Sequence, residues 1–500
     1  MTNWSPQQIA FLDWARDGEG SCVLEAVAGA GKTTTILEAA TTMKGSVAIM
    51  AFNKKIAEEI KGKLTKRGVD FKKAQAGTVH SFGFGAYRRF QKFVRVNGFK
   101  VSNVLEKILP EVHKLYPFSD AVAKLVSLAK QHIVGVQGSI DNRAEWFAIA
   151  EHYDVFESDN GPLPVDELIE IAIEALKRSN AIKDEIDYDD MIYLPLLFRL
   201  PFWTFDVVMV DEAQDTNAAR RALVRAMVKK GGRVIAVGDR HQAIYGFTGA
   251  DADSLDLIKS DFSAIDLPLT VTYRCPKLVV AFAQQWVHHI SAHESAPEGS
   301  VSSTTIPDMM KRNDLNGEAA ILCRVNKPLV SLAFKLIRNR IPCRIEGRDI
   351  GKAIKKLMTR WKIGSLDALE DKLTEYLERE TTKLLAKKQE AKLMQIEDSV
   401  ETIRVIIDRC REEGKETIAD AVAYVDDMFA DDISNMLVLS SIHKAKGREW
   451  ERVFWLDRAN TCPSKWARQD WQLQQERNLM YVAATRAKSE LIELKGETRE

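Results

Sequence analysis

An excess of charge of either sign is missing from this sequence. Its 71 Lys and Arg residues are matched by 71 Asp and Glu, for a formal net charge of +0. The chain therefore has no overall basic coat, and any polyanionic partner must be met by a local groove. Cysteine is also scarce: Cys22, Cys275, Cys323, Cys343, Cys410 and Cys462 are the only six in 500 residues. None forms a CxxC pair or a His/Cys cluster with zinc-ligand spacing, which excludes a zinc ribbon. Such a spread suits packed thiols in a reducing cytosol. No run of about 18 apolar residues occurs, so no membrane span is expected. The opening residues, Met1 to Gln8, lack the basic start and apolar stretch of a secretion signal. Low-complexity segments and short-period repeats are absent as well.

An ordinary globular composition is present, 45% hydrophobic and 28% charged, enough for a normal core. The length allows roughly three to four domains. Short runs rich in Val, Ile, Leu and Met recur at 22–25, 47–51, 206–210 and 234–237, and again at 320–323, 437–440, 453–456 and 491–494. They read as buried strands of parallel sheets, separated by helical patterns. Each half of the chain is then one α/β unit. Two stretches break the alternation, about 84–187 and 349–435, and both read as helical insertions. In the second, Leu393, Ile396, Val400, Ile403 and Ile407 are spaced as one helix stripe. A solvated, charge-rich hairpin fits that stretch equally well.

The strongest chemistry lies after the first strand. Ala26-Val27-Ala28-Gly29-Ala30-Gly31-Lys32-Thr33 matches the P-loop pattern except that Ala26 replaces its first glycine. Gly29 and Gly31 let backbone N–H groups turn towards a phosphate. Lys32 would meet the β and γ phosphates, and Thr33 would offer its hydroxyl to Mg²⁺. Ala28, Ala30 and Thr34 complete the expected nucleotide contacts. A second apolar run ends in Asp211-Glu212-Ala-Gln-Asp215. A buried strand would deliver Asp211 to the sheet edge beside the P-loop, where it can hold Mg²⁺. Glu212 would orient or deprotonate the attacking water. Together these residues predict hydrolysis of ATP or GTP, without saying what work it drives.

Order and spacing of further motifs supply the work. Across nearly its full length the chain resembles the UvrD/Rep-like branch of superfamily 1 DNA helicases. Ser5-Pro-Gln-Gln8 resembles the glutamine motif of that family, which implies that Gln8 reads the adenine edge. Ala51-Phe52-Asn53-Lys54 and Gly77-Thr78-Val79-His80-Ser81 resemble two single-strand contact motifs. Asp187-Tyr188-Asp189-Asp190-Met191 resembles the acidic motif ahead of the Asp-Glu strand. The run from Val237 to Phe247 resembles the motif that links ATP to DNA; Gln242 would sense the γ phosphate, while Tyr245 and Phe247 would meet the strand. Thr272-Tyr273-Arg274 implies Tyr273 stacked on adenine and Arg274 at the γ phosphate. In the second half, Leu322-Cys-Arg324-Val-Asn326 resembles a motif near the start of the second motor domain, which implies Arg324 on the strand. The run from Ser441 to Trp450 resembles the late DNA motif, with Ser441 and His443 on the strand and Glu449 on the ribose. Glu476 to Ala487 resembles the last motif, which makes Arg486 the arginine finger.

The resemblance implies two RecA-like P-loop domains, at 1–83 with 188–268 and at 269–348 with 436–500. Helical insertions would occupy 84–187 and 349–435. It also implies an ATP- and Mg²⁺-dependent motor that moves 3′→5′ on single-stranded DNA and at single-strand/duplex junctions. Such a motor would be a functional monomer, cytoplasmic or nuclear, and could meet single-strand-binding or recombination proteins. Ala-Phe-Asn-Lys, Gly-Asp-x-His-Gln and His-Lys-Ala-Lys-Gly most resemble the eukaryotic F-box DNA helicase, although these residues include no F-box. The chain departs from the branch at Val27, often glycine there, at Thr248, usually arginine, and in the short 349–435 segment. Plainer roles fit some residues: Phe52, Phe247 and Tyr273 as packing aromatics, His80 and His443 as structural histidines, Arg274 and Arg486 as surface ion pairs. Trp4, Trp14, Trp203, Trp466 and Trp471 belong to no motif and read as packing. A translocase that strips bound proteins, an RNA motor and a non-motor P-loop regulator are the rival functions.

Overall fold

The computed structural model describes the chain except residues 1–3, 52, 111–113, 157–163, 247–248, 252, 340, 347, 387–389, 429–434, 465–466 and 496–500. It divides into two compact units, one ending at Thr270 and the other running from Val271 to the C-terminus, apart from a few residues near 160. Phe52, Phe247, Thr248 and Trp466 thus lie outside the described residues.

The first unit is built on a six-stranded parallel sheet. Its strands are β1 (Cys22–Ala26), β2 (Val47–Ala51), β3 (Ala74–Thr78), β6 (Phe205–Val210), β7 (Val228–Gly238) and β8 (Ile265–Leu269), in spatial order β3-β2-β6-β7-β1-β8. Between β3 and β6 in sequence, two short strands, β4 (Arg95–Val96) and β5 (Glu185–Ile186), pair separately. The second unit holds a short ladder of β9 (Val271–Thr272) and β10 (Ser291–Ala292). Its main sheet, also parallel and six-stranded, contains β11 (Ser300–Thr305), β12 (Ala319–Cys323), β13 (Cys343–Ile345), β14 (Leu437–Ser441), β15 (Trp450–Leu456) and β16 (Ala487–Lys495), ordered β11-β16-β15-β12-β14-β13. Two RecA-like α/β sheets are therefore present, and all eight apolar runs are strands. Interior strands such as β2 and β12 are buried at every position, as a parallel sheet covered by helices on both faces requires.

The helices Lys100–Ile108, Ser119–Gln131, Arg143–His152 and Val165–Ala181 surround their own apolar core, centred on Leu125, Trp146 and Leu168. The acidic motif ties this helical region to the sheet. Lys130, fully buried, reaches Asp187 at 2.5 Å and Asp190 at 2.7 Å. Lys100, also fully buried, meets Asp190 at 2.7 Å. The helices Val79–Phe90 and Asp190–Leu197 approach so closely that a Cβ on Gly83 would lie 2.3 Å from the carbonyl oxygen of Met191.

The charged stretch of the second unit is not a solvated hairpin. Val400, Ile403 and Ile407 lie on the helix Glu390–Glu412 and are buried in the core that also holds Ile321, Leu437 and Phe454 of the sheet, and Leu393 on the same helix is buried as well. Ile396 packs against the same core. Its charge therefore sits on the outer face of a helix whose stripe belongs to the domain. All six cysteines are free and buried, one in the first unit and five in the second. Among the described residues no helix is long and apolar enough to cross a membrane.

Candidate functional site

The P-loop leaves the C-terminal end of β1, between neighbours β7 and β8. Val27 N–H donates to the carbonyl of Leu269 at 3.0 Å, which pins the loop to β8. Gly29 and Gly31 have φ of 74° and 79°, the left-handed region that side chains resist. The helix Lys32–Thr42 starts directly after them, with no side chain capping its N-terminus. Its first N–H groups and the positive end of its dipole are thus presented to an anion. Val27, Ala28 and Ala30 are buried beneath the turn, whereas Thr34 is exposed. Gln8 supports the loop from below. Its amide donates to Thr35 Oγ1 at 3.0 Å and to the Ala30 carbonyl at 3.4 Å, and its Oε1 accepts from Ser5 N–H in a capping box.

Strand β6 carries Asp211 to the same sheet edge, where its N–H donates to the Met50 carbonyl at 2.9 Å. Glu212 follows in the left-handed region, φ 51°, a conformation that costs a non-glycine residue about 1–3 kcal/mol. This turn brings Glu212 Oε2 to 3.7 Å from Lys32 Nζ. Burial first, and the Glu212 charge second, push the Asp211 carboxyl up to about 7. Ionised Asp211 therefore lowers stability once pH rises above the ordinary carboxylate range, and the full cost is reached above about pH 7. Two adjacent carboxylates facing one ammonium form a negative excess of the kind a divalent cation neutralises. No cluster of three or more His, Cys, Asp or Glu side chains is arranged for a metal among the described residues. The Asp211 carboxylate is the kind of hard oxygen ligand that Mg²⁺ takes.

A chain of hydrogen bonds runs on from Glu212. Gln214 Nε2 donates to Glu212 Oε2 at 2.5 Å, and Gln214 Oε1 accepts from Asp239 N–H at 3.0 Å. Asp239 Oδ2 in turn accepts from Gln242 Nε2 at 2.8 Å. Gln214 is thus the bridge between the Asp-Glu strand and the motif expected to link ATP with DNA. Sequence reasoning quoted Gln214 within its run but gave it no role, because only folding brings β6 and β7 side by side. Arg240, in the same motif, forks onto Glu25 of β1 at 2.5 and 3.1 Å.

The residues read as strand contacts mostly occupy element ends. Asn53 caps the helix Lys54–Lys66, and Thr78 caps the helix Val79–Phe90. Burial, reinforced by Arg220, pulls His80 down to about 4. Burial also pulls His443 down to about 3, with Arg324 and Lys446 adding to it. Both imidazoles are therefore neutral at pH 7 and can serve only as hydrogen-bonding groups. Tyr245 is pushed up to about 12 by burial and by Asp215 and Glu212. Ser441 caps the short helix Ile442–Ala445.

In the second unit, the expected phosphate and ribose contacts are engaged with one another. Arg274 Nε donates to Glu449 Oε2 at 2.5 Å, and its Nη1 to the Thr485 carbonyl at 3.4 Å. Arg486 is only 1% exposed. It donates to the carbonyls of Val482 and Arg448 at 2.9 and 3.2 Å and to Thr485 Oγ1 at 3.1 Å. Neither arginine is a freely exposed surface ion. Arg324 is held by Glu476 at 2.8 Å. Tyr273 is exposed, its ring 4.8 Å from that of His293.

The model of the UvrD/REP helicase N-terminal domain matches residues 7–263, and that of the UvrD-like helicase C-terminal domain matches residues 348–494. The chain belongs to the UvrD/Rep helicase family. The first match covers the P-loop, the Asp-Glu strand and the Gln214 bridge; the second covers Ser441, His443, Glu449 and Arg486. Tyr273, Arg274 and Arg324 fall between the two. Among UvrD/Rep-type relatives, a probable DNA helicase of Mycoplasma pneumoniae is 26% identical over 323 residues, 60% of each chain. F-box DNA helicase protein 1 of Schizosaccharomyces pombe is 24% identical over 508 residues, 94% of this chain and 55% of that one. ATP-dependent DNA helicase PcrA of Staphylococcus epidermidis is 25% identical over 211 residues, 36% of this chain and 29% of its own. The chain thus spans no more than 60% of the length of these relatives.

Proposed function

We propose that this protein is an ATP-driven motor that moves 3′→5′ along single-stranded DNA and opens duplex at junctions, working as a monomer. The observation that carries this reading is the bridge from Glu212 through Gln214 to Asp239 and Gln242. It ties the carboxylate suited to activating water to the motif suited to sensing DNA. In this reading Lys32 neutralises the β and γ phosphates, while Thr33 and Asp211 hold Mg²⁺. Mg²⁺-ATP supplies the transferable phosphoryl group and a neutralising charge. Glu212 takes the proton of the attacking water, and Gln242 registers the γ phosphate. Gln8 and Tyr273 select adenine, and Glu449 meets the ribose. Arg274 and Arg486 stabilise charge on the phosphoryl oxygens. That task requires Arg274 to exchange Glu449, and Arg486 its carbonyl acceptors, for the nucleotide. Asn53, Thr78, His80, Tyr245, Arg324, Ser441 and His443, with Phe52 and Phe247, grip the strand. Motor domains at 1–83 with 188–268 and at 269–348 with 436–500, with insertions at 84–187 and 349–435, fit this assignment. The names of the relatives, all DNA helicases, support DNA as the track.

Steady-state ATPase with and without single-stranded DNA tests the reading, beside RNA in place of DNA and strand displacement on 3′- and 5′-tailed duplexes. DNA stimulation with unwinding of the 3′-tailed substrate is expected. Equal rates with and without nucleic acid would remove the motor and leave a P-loop regulator. A second reading, a translocase that strips proteins but unwinds little, is favoured by one observation. The helix Glu390–Glu412 commits its apolar stripe to the domain core, which leaves the 349–435 segment little freedom to handle duplex. DNA-stimulated ATPase without strand displacement would select it.

The bridge itself makes a separate expectation. Gln214→Leu removes both of its hydrogen bonds but none of the phosphate-facing groups. Basal ATPase is expected to persist while stimulation by DNA falls, read as the ratio of the two rates.

A further inference from the structure

The helix Val79–Phe90 begins at Thr78 and His80 and ends at a surface that none of the motifs explains. Ser81, Gly85, Arg88 and Arg89 are spaced four, three and one residues apart and so share one helical face. Gly83, on another face, is required, because Met191 leaves no room for a side chain there. Gly85 is not: a Cβ built on it meets nothing within 4 Å, and its φ is not positive. A glycine in a helix interior forfeits stability relative to alanine. With nothing inside the fold filling that space, Gly85 leaves its backbone open to close approach from outside.

At the end of this face, aromatic rings stand in solvent among cations. Phe93 is 87% exposed, and Trp203, read from sequence as core or surface packing, is 58% exposed. Arg89 lies 4.7 Å from the Trp203 ring. Lys183 lies about 6 Å from the rings of Phe90 and Phe198, which are themselves 5.9 Å apart. Among the described residues, Arg88, Arg89, Lys92 and Lys183 form no ion pair, although Arg89 donates to the carbonyls of Gly85 at 3.2 Å and Pro201 at 2.7 Å. On the neighbouring strand, Glu185 is taken up by Arg95 and Asn97. Cations without carboxylate partners, interleaved with exposed rings, suit a polyanion whose bases are free to stack, which is single-stranded rather than duplex nucleic acid.

We propose that this surface holds a further stretch of the single-stranded DNA gripped at Thr78 and His80, with bases stacked on Phe93 and Trp203 and phosphates met by Arg88, Lys92 and Lys183. The 12-residue helix spans about 18 Å, so a strand that covers this surface as well as Thr78 and His80 has a longer footprint. The strand passes over Gly85, which has no side chain to obstruct it. This inference rests on the reading of the protein as a single-strand motor.

The test is fluorescence anisotropy of the full chain with oligothymidines of about 8 and about 25 nucleotides, chosen around the usual site sizes for single strands. The combined variant Arg88→Ala, Lys92→Ala and Phe93→Ala changes exposed groups only. It is expected to bind the long oligomer about tenfold more weakly or worse. Its log–log salt slope should be shallower by about 1.4, two phosphate contacts at about 0.7 each. Affinity for the short oligomer and ATPase without DNA should not change. Gly85→Leu, which has space to fold, is expected to weaken the long oligomer in the same selective way. Unchanged long-oligomer affinity in both variants, with the wild type binding normally, overturns the proposal. Equal weakening of the short and the long oligomer also overturns it. If the wild type binds neither oligomer, the motor reading itself fails instead.

Discussion

Glu212→Gln is expected to lower DNA-stimulated ATP turnover by about 10²–10⁴-fold, the usual contribution of a positioned general base. The amide keeps the size of the side chain and can still engage Gln214, but it cannot accept the proton of the attacking water. It also removes the negative charge that, after burial, does most to push up the Asp211 carboxyl. Asp211 should then ionise at lower pH and hold Mg²⁺ at least as well as before. The variant should therefore bind nucleotide normally while failing to turn it over. Phosphate release at saturating ATP, beside nucleotide binding by equilibrium titration, separates the two. Retention of more than a tenth of the wild-type rate with intact binding would take the base role away from Glu212.

Lys130→Met is expected to destabilise the first unit by about 3–5 kcal/mol, the cost of breaking a buried ion pair from one side. The Lys130 ammonium is fully buried between Asp187 and Asp190. Methionine fills similar space but leaves both carboxylates with Lys100 alone, and Lys100 touches only Asp190 among them. Nearby, burial and then Asp187 already push Asp189 up to about 6, so the cluster has no capacity for another uncompensated charge. Chemical denaturation measures the loss, followed by a probe in the first unit because two units need not unfold together. A change below about 1 kcal/mol would mean that water reaches the carboxylates and the cluster is not the fastening it resembles. The acidic motif thus has a physical content that its sequence did not reveal. It is the carboxylate half of a buried ion cluster whose cations come from helices roughly 60 to 90 residues upstream.

The eight strands legible in the sequence are the eight interior strands of the two sheets. In those two sheets the four strands that went unread, β3, β8, β11 and β13, are the four edges, and the short pairs β4–β5 and β9–β10 went unread as well. Interior strands must be apolar on both faces, and their composition announces them. An edge strand is covered less completely and tolerates what an interior strand cannot: Pro268 in β8, the Ser and Thr of β11, the Gln75 and Gly77 of β3. The P-loop and the Asp-Glu turn were legible for a related reason, since each is a contiguous run with its chemistry built in. Gln214 was not, because its second partner arrives from another strand. The partners of Arg274, Arg324 and Arg486 were equally hidden, because an arginine in a motif does not reveal which acceptor holds it. The stripe of the helix Glu390–Glu412 was visible as a stripe, but the core it joins was not.

Burial pushes all six thiols above their ordinary range, so almost no thiolate is offered to an oxidant or a labelling reagent while the chain is folded. Modification must wait for a local or global opening, and its rate at low reagent reactivity then counts openings. Cys22 reports on the sheet that carries the P-loop, and the other five report on the second unit. The protein thus carries a native clock with two hands. The order in which its thiols become reactive, read peptide by peptide in a mass spectrometer, tells which half gives way first.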